Sequence, residues 1–287
     1  MLTSILAASD LSRRSTPAVG RAVQMAGWSG ARLTVLHVVE EDRPPGMEAQ
    51  ERRGAEKFLT EQVTGFGTPD ACEFVTRSGD AFRVIAEEAE TRKADVIVLG
   101  AHRRQVLRDV FTGTTAERVT RTASRPVLLA NTTPTERWER VFIATDLSDT
   151  SAHAARTAHA LGLLDGAEVT FLHAYAPVTR QMMTHAGIPP ERVQAEAERE
   201  FQTTRREVAR CLQTLGLGDL SYSARLIEGV GAEAIAGLVA QSRPDLLVIG
   251  TRGLSGVKRL FLGSVAQELM GNLEIDILAV PPEGMKA

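Results

Sequence analysis

The sequence predicts an α/β protein made of two repeated, doubly wound domains, each with a five-stranded parallel sheet. Three observations carry that prediction. Shifting the chain by 136 residues lays 10–37 on 146–173 without a gap, and eleven of those 28 positions are identical. Shifting it by 150 lays 79–130 on 229–280, matching Gly79 with Gly229, Asp95 with Asp245, Gly100 with Gly250 and Gly113 with Gly263. Within each copy, short branched apolar runs alternate with longer segments of helical period, the pattern of parallel strands joined by crossover helices.

In the second copy the elements follow in order. "RVFIAT" reads as a strand, then a helix from about residue 150, then the strand "EVTFLHA". A long helix runs through "RVQAEAEREFQTTRREVARCLQTL" and is followed by the strand "SYSARLI" and the helix "AEAIAGLVAQS". "DLLVIG" is a continuous apolar run, as is "DVIVLG" in the first copy, and such runs belong at a sheet centre covered on both faces. A helix from Ser264 and the strand "DILAV" close the copy. The domains are expected at 1–133 and 138–287, with the polar, proline-bearing "NTTPTERW" at 131–138 as a linker. The second copy is 14 residues longer than the first between 173 and 229, and the excess is placed in "PVTRQMMTHAGIPPERVQ", where Met182 and Met183 form either a lid or partner surface or simply cover a core edge.

Composition excludes several classes of function. The net charge of −3 leaves no electrostatic footprint for nucleic acid or an anionic membrane, and no apolar run is as long as a membrane span. The amino terminus lacks the basic start of a signal peptide, so a cytoplasmic protein is expected. Cys72 and Cys211 lie far apart and read as buried or idle thiols. None of the six histidines has H-E-x-x-H spacing, so no dedicated metal site is expected; His37 and His173, at equivalent strand ends, read as structural groups at the rim of a crevice.

The stretch "IGTRGLSGVKRLFLGS" carries glycines at 250, 253, 256 and 263. In isolation it fits either a turn between strand and helix or a backbone cradle for phosphate. In an open α/β sheet a ligand sits beyond the carboxyl ends of the strands, where Gly250 and Asp146 border one crevice if their strands are neighbours. The free amides and positive dipole end of the helix from Ser264 favour an anion there, and Ser264 either caps that helix or donates its hydroxyl to phosphate. The cradle reading requires the amides of Gly253, Gly263 and Ser264 to converge beside the Asp146 carboxylate. Several charge-assisted hydrogen bonds of about 1.5–3 kcal/mol each add up, before the costs of binding, to micromolar affinity.

Gly250, Gly253, Gly263 and Ser264 match the G-x2-G-x9-G-[S/T] signature, and together with "ATDLS" and "DLLVIG" the chain resembles, over nearly its whole length and twice, the universal stress protein family in its tandem two-domain form. That resemblance implies a Rossmann-like, adenine nucleotide alpha hydrolase-like fold, ATP or AMP as ligand, a role in stress survival, and association through the last strands, here "PVLLA" and "DILAV". It places Asp146 near the ribose hydroxyls or a phosphate-bound magnesium ion, and the main chain of Ala174 near adenine. Gly250, Gly253, Gly263, Ser264 and Val265 then surround the phosphates. Asp146 also reads as a carboxylate that caps the following helix with Ser148 nearby.

The first copy keeps Asp10, Val38, Gly100, Gly113 and Thr114 but has Arg103 in place of Gly253 and Thr112 in place of Leu262. A long cationic side chain at that point is expected to obstruct the cradle, leaving one good site per chain. No P-loop lysine is present, although Arg252, Lys258 and Arg259 supply positive charge, so the site reads as a holder of nucleotide that alters contacts with a protein partner. The alternatives are a slow ATPase or nucleotidyl-transferring enzyme, and a nucleotide-free scaffold. The last strands are expected to pair either within the chain or in a homodimer.

Overall fold

The computed structural model describes residues 1–39, 48–67, 71–100, 114–132, 137–177, 182–183, 185–218, 220–253 and 262–285. The first repeat runs β1 (Ser4–Ala8), α1 (Thr16–Ser29), β2 (Arg32–Val39), α2 (Glu48–Phe66), β3 (Cys72–Ser78), α3 (Ala81–Thr91), β4 (Val96–Gly100), α4 (Thr115–Thr122) and β5 (Val127–Ala130). The second runs β6 (Arg140–Ala144), α5 (Asp149–Ala160), β7 (Glu168–Tyr175), α6 (Pro190–Gln213), β8 (Tyr222–Glu228), α7 (Gly231–Ser242), β9 (Leu246–Gly250), α8 (Ser264–Asn272) and β10 (Asp276–Val280).

The two expected sheets form one. Its strand order is β3-β2-β1-β4-β5-β10-β9-β6-β7-β8, parallel throughout except where β5 meets β10. Each half is doubly wound, with the order reversing between β1 and β4 and between β6 and β9. Leu6, Ile97, Ile143 and Val248 on these central strands have no exposed surface, as expected of strands covered on both faces. One core layer packs under α1, α2, α5 and α6 and the other under α3, α4, α7 and α8.

At the seam, Ile277, Leu278 and Ala279 pair antiparallel with Leu129, Leu128 and Val127. Leu128 and Leu278 are repeat mates, related by the 150-residue shift, so the pseudo-two-fold axis passes between them. The last strands therefore pair within the chain, which uses one edge of each half-sheet.

The expected linker is more than a tether. Trp138 is 3% exposed and stacks edge-on against Trp28, with ring centroids 5.7 Å apart. Its Nε1 donates to Asp276 Oδ2 at 3.0 Å, while the backbone amides of Asn131 and Thr132 donate to Oδ1 at 2.9 and 3.2 Å. A buried carboxylate requires such donors, so tertiary contact pulls in a segment whose composition is that of a surface loop. Residues 133–136 lie outside the described residues.

Candidate nucleotide-type site at the second switch point

β6 ends at Ala144 and the chain turns at once into α5. Leu147 takes the left-handed conformation at φ 65, and its counterpart Leu11 does the same at φ 62. That conformation costs a non-glycine residue about 1–2 kcal/mol, and it recurs where the chain must turn Asp146 into the crevice. The Asp146 carboxylate accepts hydrogen bonds from the amide and hydroxyl of Ser148, an Asx-type turn, while Ser148 itself caps α5 by accepting from the amide of Ser151. Asp146 thus shapes the turn before the helix, and Ser148 is the cap.

His173 donates from Nδ1 to the carbonyl of Thr145 at 2.8 Å, and His37 to that of Ser9 at 2.9 Å. Both histidines brace the loop that follows the first strand of their repeat, as their equivalent positions predicted. Cys72 and Cys211 are free and only half-buried; burial pushes the Cys72 thiol up to about 11. Among the described residues, no three His, Cys, Asp or Glu side chains cluster as a metal site. No described helix is long and apolar enough to cross a membrane.

All seven candidate residues of the second repeat, Asp146, Ala174, Gly250, Gly253, Gly263, Ser264 and Val265, line one hollow of about 280 Å³. It opens beyond the carboxyl ends of β6 and β9, where strand order reverses. Ile235, Ile249 and Ala144 make its apolar side, and Arg252 brings the positive charge. Gly231 and Ile235 enter from α7, and nothing in the glycine signature announces them. The only hint in the sequence is Gly231 opening an apolar helix two residues after Gly229.

The glycines do different work. A Cβ at Gly250 would lie 3.0 Å from Thr150 Cγ2 and 3.3 Å from the Thr150 carbonyl, so close packing of α5 already requires glycine there. At Gly253 a Cβ would lie 2.8 Å from Asp146 Oδ2, so that loop backbone passes directly against the carboxylate. Gly263 corrects the sequence expectation. Its amide donates to the Thr251 carbonyl at 2.8 Å, tying the start of α8 to the end of β9, and so is not free for an anion. The free amides at this end belong to the first turn of α8, beginning with Ser264. Gly263 is the N-cap and no side chain caps this helix, which leaves the exposed Ser264 hydroxyl out of the capping role.

The first repeat differs at the same places. α1 begins at Thr16, with Pro17 in its first turn, whereas the position equivalent to the start of α5 is Arg13. The intervening residues form a turn whose Arg14 carbonyl lies 2.4 Å from a Cβ built on Gly100. Thr114, the mate of Ser264, is committed as N-cap of α4, accepting from the amide of Glu117. Asp10 is exposed and Val38 half-buried. Burial works to raise the Asp10 carboxyl, but bonds from Ser12, with Ser15, hold it below its ordinary value. His102, Arg103, Thr112 and Gly113, like Lys258 and Arg259, lie outside the described residues.

Comparison with known proteins follows the same division into halves. The model of the universal stress protein family matches residues 1–131 and again 137–281. A curated relative of Thermus aquaticus, the universal stress protein in QAH/OAS sulfhydrylase 3'region, is 31% identical over 143 residues, 50% of this chain and 98% of its own. Universal stress protein A homolog 1 of Coxiella burnetii is 32% identical over 135 residues, 43% of this chain and 92% of its own. Among solved structures, a universal stress protein from Archaeoglobus fulgidus DSM 4304 shares the fold, with a TM-score of 0.68 at 16% identity, over 97% of this chain and 98% of that one. The chain belongs to the universal stress protein family, as a tandem two-domain member.

Proposed function

We propose that the second repeat holds ATP or AMP in the hollow at the β6–β9 switch point, and that occupancy changes the protein's contacts with a protein partner in the cytoplasm. The observation that carries this reading is the convergence of Asp146, Ala174, Gly250, Gly253, Gly263, Ser264 and Val265 on one hollow beside a helix N-terminus. The apolar side formed by Ile235, Ile249 and Ala144 suits a purine; Arg252 and the first-turn amides of α8 suit phosphate. The Asp146 carboxylate suits ribose hydroxyls or a magnesium ion. With Asp146 the one carboxylate among the described residues that line the hollow, magnesium would be carried mainly by the phosphates, as this cation commonly is.

The first repeat, with the Arg14 carbonyl against Gly100 and Thr114 spent on a cap, is the poorer site, so one nucleotide per chain is expected. Regulation follows if the nucleotide binds better to one arrangement of the 251–262 loop, of which 254–261 lie outside the described residues, than to another, since a ligand shifts an equilibrium only by differential affinity. Mass analysis of ligand released from freshly purified protein, with calorimetric titration of ATP, AMP and adenosine in magnesium, tests the assignment. One adenine nucleotide per chain is expected. Binding of none, or equal affinity for adenosine, removes the phosphate cradle, and release of ADP or a nucleotidyl product replaces the holder by an enzyme.

A further inference from the structure

We propose that the groove between β8 and α7 is a docking surface for an extended peptide of a partner protein, which lies along the free edge of β8 with a carboxylate side chain beside a small apolar one. β3 and β8 close the two ends of the sheet and are equivalent in the two repeats. Over β3 the chain covers its own edge with charge. Arg77 meets Glu88 at 2.6 Å, Arg92 meets Glu73 at 2.6 Å and Glu88 at 2.8 Å, and the Arg118 guanidinium lies 3.6 Å from the centre of the Phe82 ring.

The 150-residue shift turns Glu73, Arg77, Glu88 and Arg92 into Ser223, Ile227, Leu238 and Ser242, and Phe82 and Glu87 into Ala232 and Gly237. None of the ion-pairing groups survives, and the bulky cover is replaced by small residues. What remains is a groove of about 640 Å³, within the roughly 300–1,000 Å³ of ordinary ligand sites. Ile227, Ala234, Gly237 and Leu238 line it, and Val230 at its end is 73% exposed.

The charge in the groove selects the occupant. Arg225 and Ile227 stand in register with Leu172 and Ala174, which pack in the layer under α7, so both face the groove. The first repeat has Val75 in place of Arg225, and buries it. Arg225 is exposed and makes no ion pair with a described residue. Glu233, in the first turn of α7, lines the groove at the end where β8 passes through Val230 into the helix. An extended segment with an acidic residue opposite Arg225, an apolar one two positions on over Ile227, and a basic one toward Glu233 matches this order. The outward amides and carbonyls of an end strand supply its main-chain partners.

α7 gives this surface a role, and here the inference rests on the proposed nucleotide site. Gly231 and Ile235 line the hollow, while Ala234, Gly237 and Leu238 of the same helix line the groove, so one rigid element touches both.

The test is selection of a displayed random decapeptide library on the full chain without nucleotide, in wild type and in Arg225→Glu. Wild type is expected to enrich an acidic residue two positions from a small apolar one. Arg225→Glu should enrich a basic residue at that place and bind the wild-type consensus at least tenfold more weakly. A synthetic consensus peptide should slow amide exchange across residues 222–228. No consensus, the same consensus from both proteins, or unprotected β8 amides would each overturn the proposal, leaving Arg225 as a charge that blunts an edge strand against aggregation. Repeating the binding with ATP isolates the coupling: an unchanged peptide affinity removes the link to the nucleotide and leaves the docking surface standing, whereas failure of ATP to bind touches only the proposed site.

Discussion

Asp146 and Gly253 constrain each other. The carboxylate is oriented by the amide and hydroxyl of Ser148, so it cannot turn aside freely for a side chain at 253. Gly253 is outside the left-handed region, so alanine there meets no backbone strain, only a Cβ 2.8 Å from Asp146 Oδ2. Gly253→Ala is therefore expected to displace the carboxylate or the loop backbone, weakening ATP binding at least tenfold, about 1.4 kcal/mol, with a smaller loss of stability read as a slightly lower urea midpoint. Calorimetry beside a denaturation curve checks both parts, and unchanged affinity would show that this approach of loop to carboxylate does not matter. The signature spacing made Gly253 legible in the sequence, but the left-handed Leu147 that follows Asp146 was not. An αL leucine carries no local mark, and the conformation is imposed because both β6 and α5 are anchored in the core.

At the scale of elements, equivalent helices are held differently in the two repeats. α3 is fastened by carboxylates. Burial works against the ionised Glu88, yet bonds from Arg92 and Arg77 outweigh it, and the Arg125 guanidinium, with the Ser124 hydroxyl, holds the Glu90 carboxyl below its ordinary 4.5. A carboxyl depressed in the folded state contributes stability above its unfolded value of roughly 4.3 and loses it as pH falls through the folded value. Lowering the pH from 7 to about 4 and below is thus expected to loosen α3 before α7, whose counterparts to Glu88 and Glu90 are Leu238 and Ala240. Amide exchange corrected for its intrinsic pH dependence reads this, and parallel loosening of both helices would contradict it. The start of α8 at Ser264 was legible in the sequence but the caps were not: α5 is capped by Ser148 where the sequence offered Asp146, and no side chain caps α8. There Gly263 takes the cap position because its amide is drawn to Thr251.

At the scale of the whole molecule, one buried carboxylate joins the repeats. Asp276 has no exposed surface and receives Arg21 Nε at 2.9 Å, Trp138 Nε1 at 3.0 Å, and the amides of Asn131 and Thr132. The Arg21 guanidinium also lies 4.7 Å from the centre of the Trp138 ring. The repeat mates of Asp276 and Arg21 are Pro126 and Thr157, so the network exists on one side of the pseudo-two-fold only. Asp276→Ala leaves a buried guanidinium and several donors without a partner, and is expected to cost about 3–5 kcal/mol. The double variant Arg21→Met with Asp276→Leu removes the unpaired guanidinium but leaves the Trp138, Asn131 and Thr132 donors without their acceptor, so it should recover only part of that loss. Both tryptophans of the chain meet at this seam, so their fluorescence during urea unfolding reports it directly. A single variant as stable as wild type would show that the network contributes nothing.

Duplication, strand-and-helix alternation, and the glycine spacing that gathers one hollow were determined by the sequence alone, because each is a local period or a short-range register that every residue of an element repeats. The single ten-stranded sheet, the burial of Trp138 and Asp276, the loss of the Gly263 amide to Thr251 and the bare groove over β8 were decided only in three dimensions. The sheet seam and the Trp138–Asp276 contact join groups more than a hundred residues apart, the Gly263 bond joins the two ends of a loop, and the groove depends on which side chains a repeat lacks where its mate has them; no local pattern encodes these.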